Sequence, residues 1–196
     1  MIARALASIC LAGAVALPVA ANEIVYYTDL SGAAESPPNA SAGTGWTRVT
    51  IDFDLITMRV EASFADLMGL TTVAHIHCCT ASPLTGTAGV ALATGGILPG
   101  FPLGVTSGSY TRVIDLTQTS NYSGSFVTGS GGTAAGAEAR LISNLSSGQA
   151  YFNIHSSTYG SGEIRAFVAV VPEPATTGML LAGLAALGVA ARRRTA

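Results

Sequence analysis

The stretch "WTRVTIDFDLITMRVEASF", residues 46–64, alternates apolar and polar residues on both sides of a break at 54–57. Successive side chains of a strand point to opposite faces, so Val49, Ile51, Phe53 and Leu55 share one face while Arg48, Thr50, Asp52 and Asp54 share the other. This is the signature of an antiparallel hairpin with one greasy side. A chain carrying it must supply further strands or a helix to cover that side, because a lone hairpin is marginal in water.

Further β-like runs follow the same rule. "EIVYYTDL", "TTVAHIH", "AGVALAT", "SYTRVIDL", "AYFNIHS" and "GEIRAFVAV" are short and bounded by Gly, Ser, Pro and Thr. With the two hairpin arms they make eight strands, which predicts an all-β antiparallel domain, a Greek-key sandwich or barrel. One segment departs from the pattern. In "GGTAAGAEARLISNLSSG", Thr133 is placed to cap a helix, Ala137, Leu141 and Leu145 recur at helical spacing, and Gly148 supplies a stop, predicting one short helix over about 134–146. "TGGILPGFPLGVTSG", 94–108, is expected to be a long surface loop.

Alanine crowds both ends, and neither end belongs to the domain. Arg4 followed by the apolar run 9–17, Pro18 and small residues at Val19 and Ala21 predicts a secretory signal peptide over 1–21. At the other end Pro172, Glu173 and Pro174 precede an uncharged run of 17 residues, 175–191, and then Arg192, Arg193 and Arg194. Seventeen helical residues span about 25 Å, the lower limit for a bilayer, and the arginines stay on the cytoplasmic side, so a C-terminal transmembrane helix is expected with the domain outside. The domains read as 1–21, 22–171 and 172–196. This tail resembles the PEP-CTERM sorting signal. The resemblance implies an exported protein of a Gram-negative bacterium, anchored briefly in the inner membrane, cut by an exosortase and released to the cell surface or extracellular matrix.

Ten acidic residues face five arginines between positions 22 and 171, and lysine is absent from the chain. An acidic domain offers no footprint for nucleic acid. Without lysine there is no Walker A loop and no Schiff base. No G-x-S-x-G elbow occurs either.

Chemistry concentrates in "VAHIHCC", 73–79. Alternation puts Ala74 and Ile76 on the core side and His75, His77 and Cys79 on the other, just as Tyr151, Asn153 and His155 stand opposite Phe152 and Ile154. If the two strands are neighbours, His75, His77 and His155 converge into a site for copper or zinc, with or without the Cys79 thiolate. The competing reading is that the imidazoles bond only to water or to a carboxylate such as Glu163. Cys78 and Cys79 remain after signal removal. Adjacent α carbons about 3.8 Å apart across a trans peptide lie below the usual disulfide range, while an oxidising compartment disfavours free thiols. A Cys78–Cys79 disulfide, thiolate ligation and pairing with another chain all stay open, the first being favoured. Glu163 and Arg165 share a face in "GEIR" and with Glu35 in "ESPP" are expected to tie the first loop to the last strand; the alternative is a surface ion pair worth under about 1 kcal/mol.

The order "GAAESPP" at 32–38, "HIH" at 75–77 and His155 through "GEIR" at 162–165 resembles the CHRD domain, known from chordin and from exported bacterial proteins. The resemblance implies an immunoglobulin-like or superoxide-dismutase-like β fold and no established general activity. Two function classes follow. One is a non-catalytic surface or extracellular-matrix protein in contact with polysaccharide or other matrix; the other is a copper- or zinc-binding exported protein, with superoxide-related chemistry at its three-histidine site. The first is favoured, and with it the reading that the chain is not an enzyme.

Overall fold

The computed structural model describes residues 22–93 and 95–168. The expected signal peptide at 1–21, the helix at 175–191, Pro172, Glu173, Pro174 and Arg192, Arg193, Arg194 lie outside the described residues. Among the described residues no helix is long and apolar enough to cross a membrane.

Eight strands form in the predicted order: β1 (Glu23–Ser31), β2 (Thr44–Asp52), β3 (Thr57–Ala65), β4 (Thr71–Cys78), β5 (Val90–Leu92), β6 (Gly108–Asp115), β7 (Ala150–Ser156) and β8 (Ile164–Phe167). The hairpin β2–β3 pairs Val49 with Val60 and closes at Asp52 and Thr57. The turn is set by Asp52, whose Oδ1 accepts from the backbone N–H of Asp54 and Leu55, both at 2.9 Å, the local bond by which an aspartate initiates a turn. Alternation therefore ends at the strand end. Thr47, Val49 and Ile51 are buried, but Leu55, expected on the same inner face, is 70% exposed in the turn.

All strands belong to one antiparallel sheet in the order β5-β4-β7-β8-β1-β2-β3-β6. It curls rather than splitting into two stacked sheets. Phe64 of β3 and Phe152 of β7 have three strands between them, about 19 Å in a flat sheet, yet both meet Phe101, at centroid distances of 5.6 and 6.4 Å. The sheet therefore bends around its own core, a half-barrel that buries Tyr26, Val49, Ile51, Met58 and Val60 from one wing against Ile76, Phe152, Ile154 and Ile164 from the other.

Two expectations need refinement. The segment 95–107 is the expected irregular loop with many exposed residues, but Leu98 and Phe101 are buried in the core, and the loop is laced to β4 through Leu98 N–H to Ala74 O and Thr71 N–H to Val105 O. Its apolar residues are too far apart in sequence to make a period, so they read as loop while acting as a plug. Among the described residues the domain also has two α-helices, not one. α1 (Gly124–Gly129) is capped by Ser123, which accepts from Phe126 N–H; a helix of six residues with two glycines leaves no periodic trace. α2 (Ala134–Ser146) starts where Thr133 accepts from Gly136 N–H, buries Ala137, Leu141 and Leu145, and stops at Gly148, whose φ of +71° only glycine adopts cheaply.

Candidate metal centre

The three central strands of one wing, β4, β7 and β8, have two faces of opposite character. Ala74, Ile76, Phe152, Ile154, Ile164 and Ala166 point into the core. On the other face the register sets His75 beside Asn153 and Asn153 beside Arg165, His77 beside Tyr151 and Tyr151 beside Phe167, and His155 beside Val73. Alternation thus carries all three histidines away from the greasy core. It does not leave them in water. The chain returns after β4 through β5 and lays its backbone over this face, so His75 and His77 are only 8% and 9% exposed and His155 is half-buried.

The three rings form a compact triangle, with centroids 5.3 Å apart for His75 and His77, 5.1 Å for His75 and His155, and 6.3 Å for His77 and His155. Each ring is held from behind by a backbone carbonyl: His75 Nε2 at 2.7 Å from Gly96 O, His77 Nδ1 at 2.9 Å from Ala88 O, and His155 Nδ1 at 2.9 Å from Gly160 O. A carbonyl only accepts, so each of those nitrogens carries the proton and the opposite nitrogen carries a lone pair. Those opposite nitrogens, His75 Nδ1, His77 Nε2 and His155 Nε2, are buried and have no hydrogen-bond partner. One ligand atom from each ring falls within 4.8 Å of the others. Imidazoles oriented by carbonyls on one nitrogen and free on the other are what metal-binding histidines present.

The surroundings keep the rings neutral. Burial pulls the His75 pKa down to about 4, against the pull of the Gly96 carbonyl and with help from the other two rings. Burial likewise lowers His77 and His155, opposed by the carbonyls of Ala88 and Gly160. Because each folded-state pKa lies below its unfolded value, the unfolded chain takes up protons first as pH falls. The metal-free protein should be at full stability above pH 6.5 with respect to these groups and lose it progressively toward pH 4. Thermal melts at pH 7 and pH 5 check this: wild type should drop more between the two than His75→Gln does.

Cys79 is no ligand. Its sulfur is bonded to that of Cys78, so no thiolate is offered to the imidazoles. The disulfide sits where β4 ends and the covering segment begins, with Cys78 N–H donating to Gly89 O.

The charged residues are buried rather than at the surface. Arg165 is 4% exposed and its Nε stands 3.7 Å from Glu35 Oε2. It donates to the carbonyls of Ala34 and Gly86 and lies over the Tyr151 ring at 4.7 Å, which in turn stacks on His77 at 4.6 Å with planes 2° apart. Glu163 does not join this pair. Its carboxylate accepts from Ser41 Oγ and from the N–H groups of Met68 and Gly69, so it is no partner for the histidines. Asn153 and Tyr151 complete the site and were not read as site residues, although alternation already set both on the histidine face.

Residues 26–168 match the model of the CHRD domain. The chain belongs to the CHRD domain family. The CHRD domain is followed by a match at 170–194 to the PEP-CTERM protein-sorting motif. The protein is therefore an exported one, sorted through recognition by an exosortase and passing through a membrane-anchored intermediate in a Gram-negative bacterium. No curated protein and no solved structure matches the chain.

Proposed function

We propose that this is an exported surface or extracellular-matrix protein whose CHRD domain binds a transition-metal ion, copper or zinc, through His75 Nδ1, His77 Nε2 and His155 Nε2. The observation that carries the reading is the triangle of three buried, unpartnered imidazole nitrogens, each fixed by a carbonyl on its far side. A buried polar atom without a partner is costly. Three of them, on rings whose ligand atoms lie within 4.8 Å of one another, would be satisfied together by a cation. Neutral nitrogen donors suit copper and zinc rather than calcium or magnesium, which take oxygen.

The sorting motif supports placement outside the cell. Contact with matrix polysaccharide is part of the proposal, and the loops 31–45 and 93–109 expose residues for it, although Glu35, Leu98 and Phe101 within them are buried. Nothing in the reading requires catalysis.

The test is metal content and affinity of the purified protein with copper and zinc, beside His77→Ala. Wild type should take one equivalent, and His77→Ala should bind at least 100-fold more weakly while keeping its fold. Negligible binding in both, or equal binding in both, rejects the site.

A further inference from the structure

Among the described residues five buried side-chain atoms lack a hydrogen-bond partner: His75 Nδ1, His77 Nε2, His155 Nε2, Asn153 Oδ1 and Glu35 Oε1. All five belong to one neighbourhood of the sheet. A bare ion between the imidazoles satisfies the three nitrogens and leaves the two oxygens as they are.

Asn153 is 2% exposed. It stands in register with His75 on one side and Arg165 on the other, and two residues from His155 on the same face of β7. Its amide nitrogen and Glu35 Oε1 both crowd Gly162, where a Cβ would come within 2.8 and 2.5 Å of them. The amide nitrogen is thereby turned to Glu35. Oδ1 is the atom left without a partner, on a residue in register with His75.

The donor set is one ligand short. The cluster of ligating groups contains three imidazoles and no carboxylate, and the Cys79 sulfur is committed to Cys78. Three protein nitrogens leave a tetrahedral ion with a free position, which in such sites is filled by water or an exchangeable ligand. That ligand must also suit an oxygen acceptor nearby. Water does: it gives a lone pair to the ion and an O–H to the carbonyl of an asparagine.

We infer that the metal centre is open at its fourth position and that Asn153 Oδ1 accepts a hydrogen bond from a water molecule bound there. Asn153 is then a positioning residue, and the site is of the exchangeable kind rather than a closed structural one. This rests on the metal-binding reading above.

Cobalt(II), whose visible spectrum reports coordination, is the probe. The wild-type protein loaded with cobalt should show four-coordinate absorption that shifts when azide, a small anion able to displace water, is added. Asn153→Leu should bind cobalt 10- to 100-fold more weakly, while its metal-free form still unfolds in one cooperative transition. A purely structural asparagine would lower the melting temperature and leave cobalt affinity unchanged. An azide-insensitive spectrum overturns the open position, and this readout uses wild type alone, so it stands even if the variant misfolds. Unchanged cobalt affinity in a folded Asn153→Leu overturns the role of Asn153. Failure of wild type to bind cobalt, copper or zinc at all overturns the metal reading itself, an outcome distinct from the other two.

Discussion

Glu163→Ala should lower the melting temperature by ~10 °C or more. The side chain is fully buried. It accepts from Ser41 Oγ at 2.6 Å, from Met68 N–H at 2.5 Å and from Gly69 N–H at 3.3 Å, so one carboxylate fastens two loops to the start of β8. The backbone carbonyl of the same residue accepts from Asn39 Nδ2 at 3.0 Å, a second tie to the first of those loops. Hydrogen bonds to a charged group are worth about 1.5–3 kcal/mol each, and donors stranded by its loss cost about 1–3 kcal/mol. Taken together, and allowing for relaxation and water entry, a loss of about 3–5 kcal/mol is expected, against a total stability of roughly 5–15 kcal/mol. Glu163→Gln provides the internal control. Its carbonyl keeps the acceptor at Oε1 for Ser41 and Met68, and only the longer bond from Gly69 is replaced by an opposed N–H, so it should fall between wild type and alanine. Thermal melts of the three proteins decide the matter; an alanine variant within 2 °C of wild type would show that the carboxylate holds nothing.

The sequence predicts that Glu163, with Arg165 and Glu35, ties the first loop to the last strand; the partners Glu163 takes, Ser41, Met68 and Gly69, could not be read, and the reason is physical. In "GEIR" the two-residue spacing sets Glu163 and Arg165 on one strand face. The spacing is real, but β8 begins at Ile164, and Glu163 lies just outside it, where its side chain meets loops 41 and 68–69 that are distant in sequence. Alternation is a property of the strand and says nothing about what covers it. The same limit applies to His75 and His77. Their face was legible from Ala74 and Ile76, whose apolar side chains fix the core side, and convergence with His155 was legible as a condition on strand order. Their burial was not, since it comes from a covering segment with no regular pattern.

Elements with a strong local signal were the readable part of the fold. The hairpin turn followed from the break in alternation at 54–57, and α2 from a threonine cap, a 4-residue apolar spacing and a terminal glycine. What escaped was nonperiodic: the plug formed by Leu98 and Phe101, the short α1, and the single curled sheet, whose closure depends on Phe101 bridging wings that are three strands apart. The site shows the same division. Its ligands stand on regular strands, whereas the carbonyls that orient them, at Ala88, Gly96 and Gly160, come from loops and carry no side-chain signal at all.

Arg165→Ala should cost about 3–5 kcal/mol, the penalty for stripping the partner from a buried pair, and pairing it with Glu35→Gln should recover part of that loss. Arg165 and Glu35 are both almost fully buried, at 4% and 8% exposure. Burial pushes the Glu35 carboxyl up to about 7, with Arg165 opposing it. A carboxyl whose folded-state pKa lies above its unfolded value favours folding while it is protonated. That contribution is present in full below pH 4.5 and is lost as pH rises through 7, opposite in sign to the effect of the histidines. Glu35→Gln, which cannot ionise, should therefore be more stable than wild type at pH 8 and close to it at pH 5. In Arg165→Ala the lone carboxyl loses the charge that held it down, so its pKa climbs further and the deficit relative to wild type should be greater at pH 8 than at pH 5. Some loss must persist in the double variant at every pH, because Arg165 also donates to the carbonyls of Ala34 and Gly86 and packs between the rings of Tyr151 and Phe167, 4.7 and 5.5 Å away. Denaturant unfolding of the four proteins at both pH values isolates the pairwise part. Additive losses that do not vary with pH would mean that the guanidinium acts here through packing alone and that the charge on Glu35 plays no part in holding the first loop to the last strand.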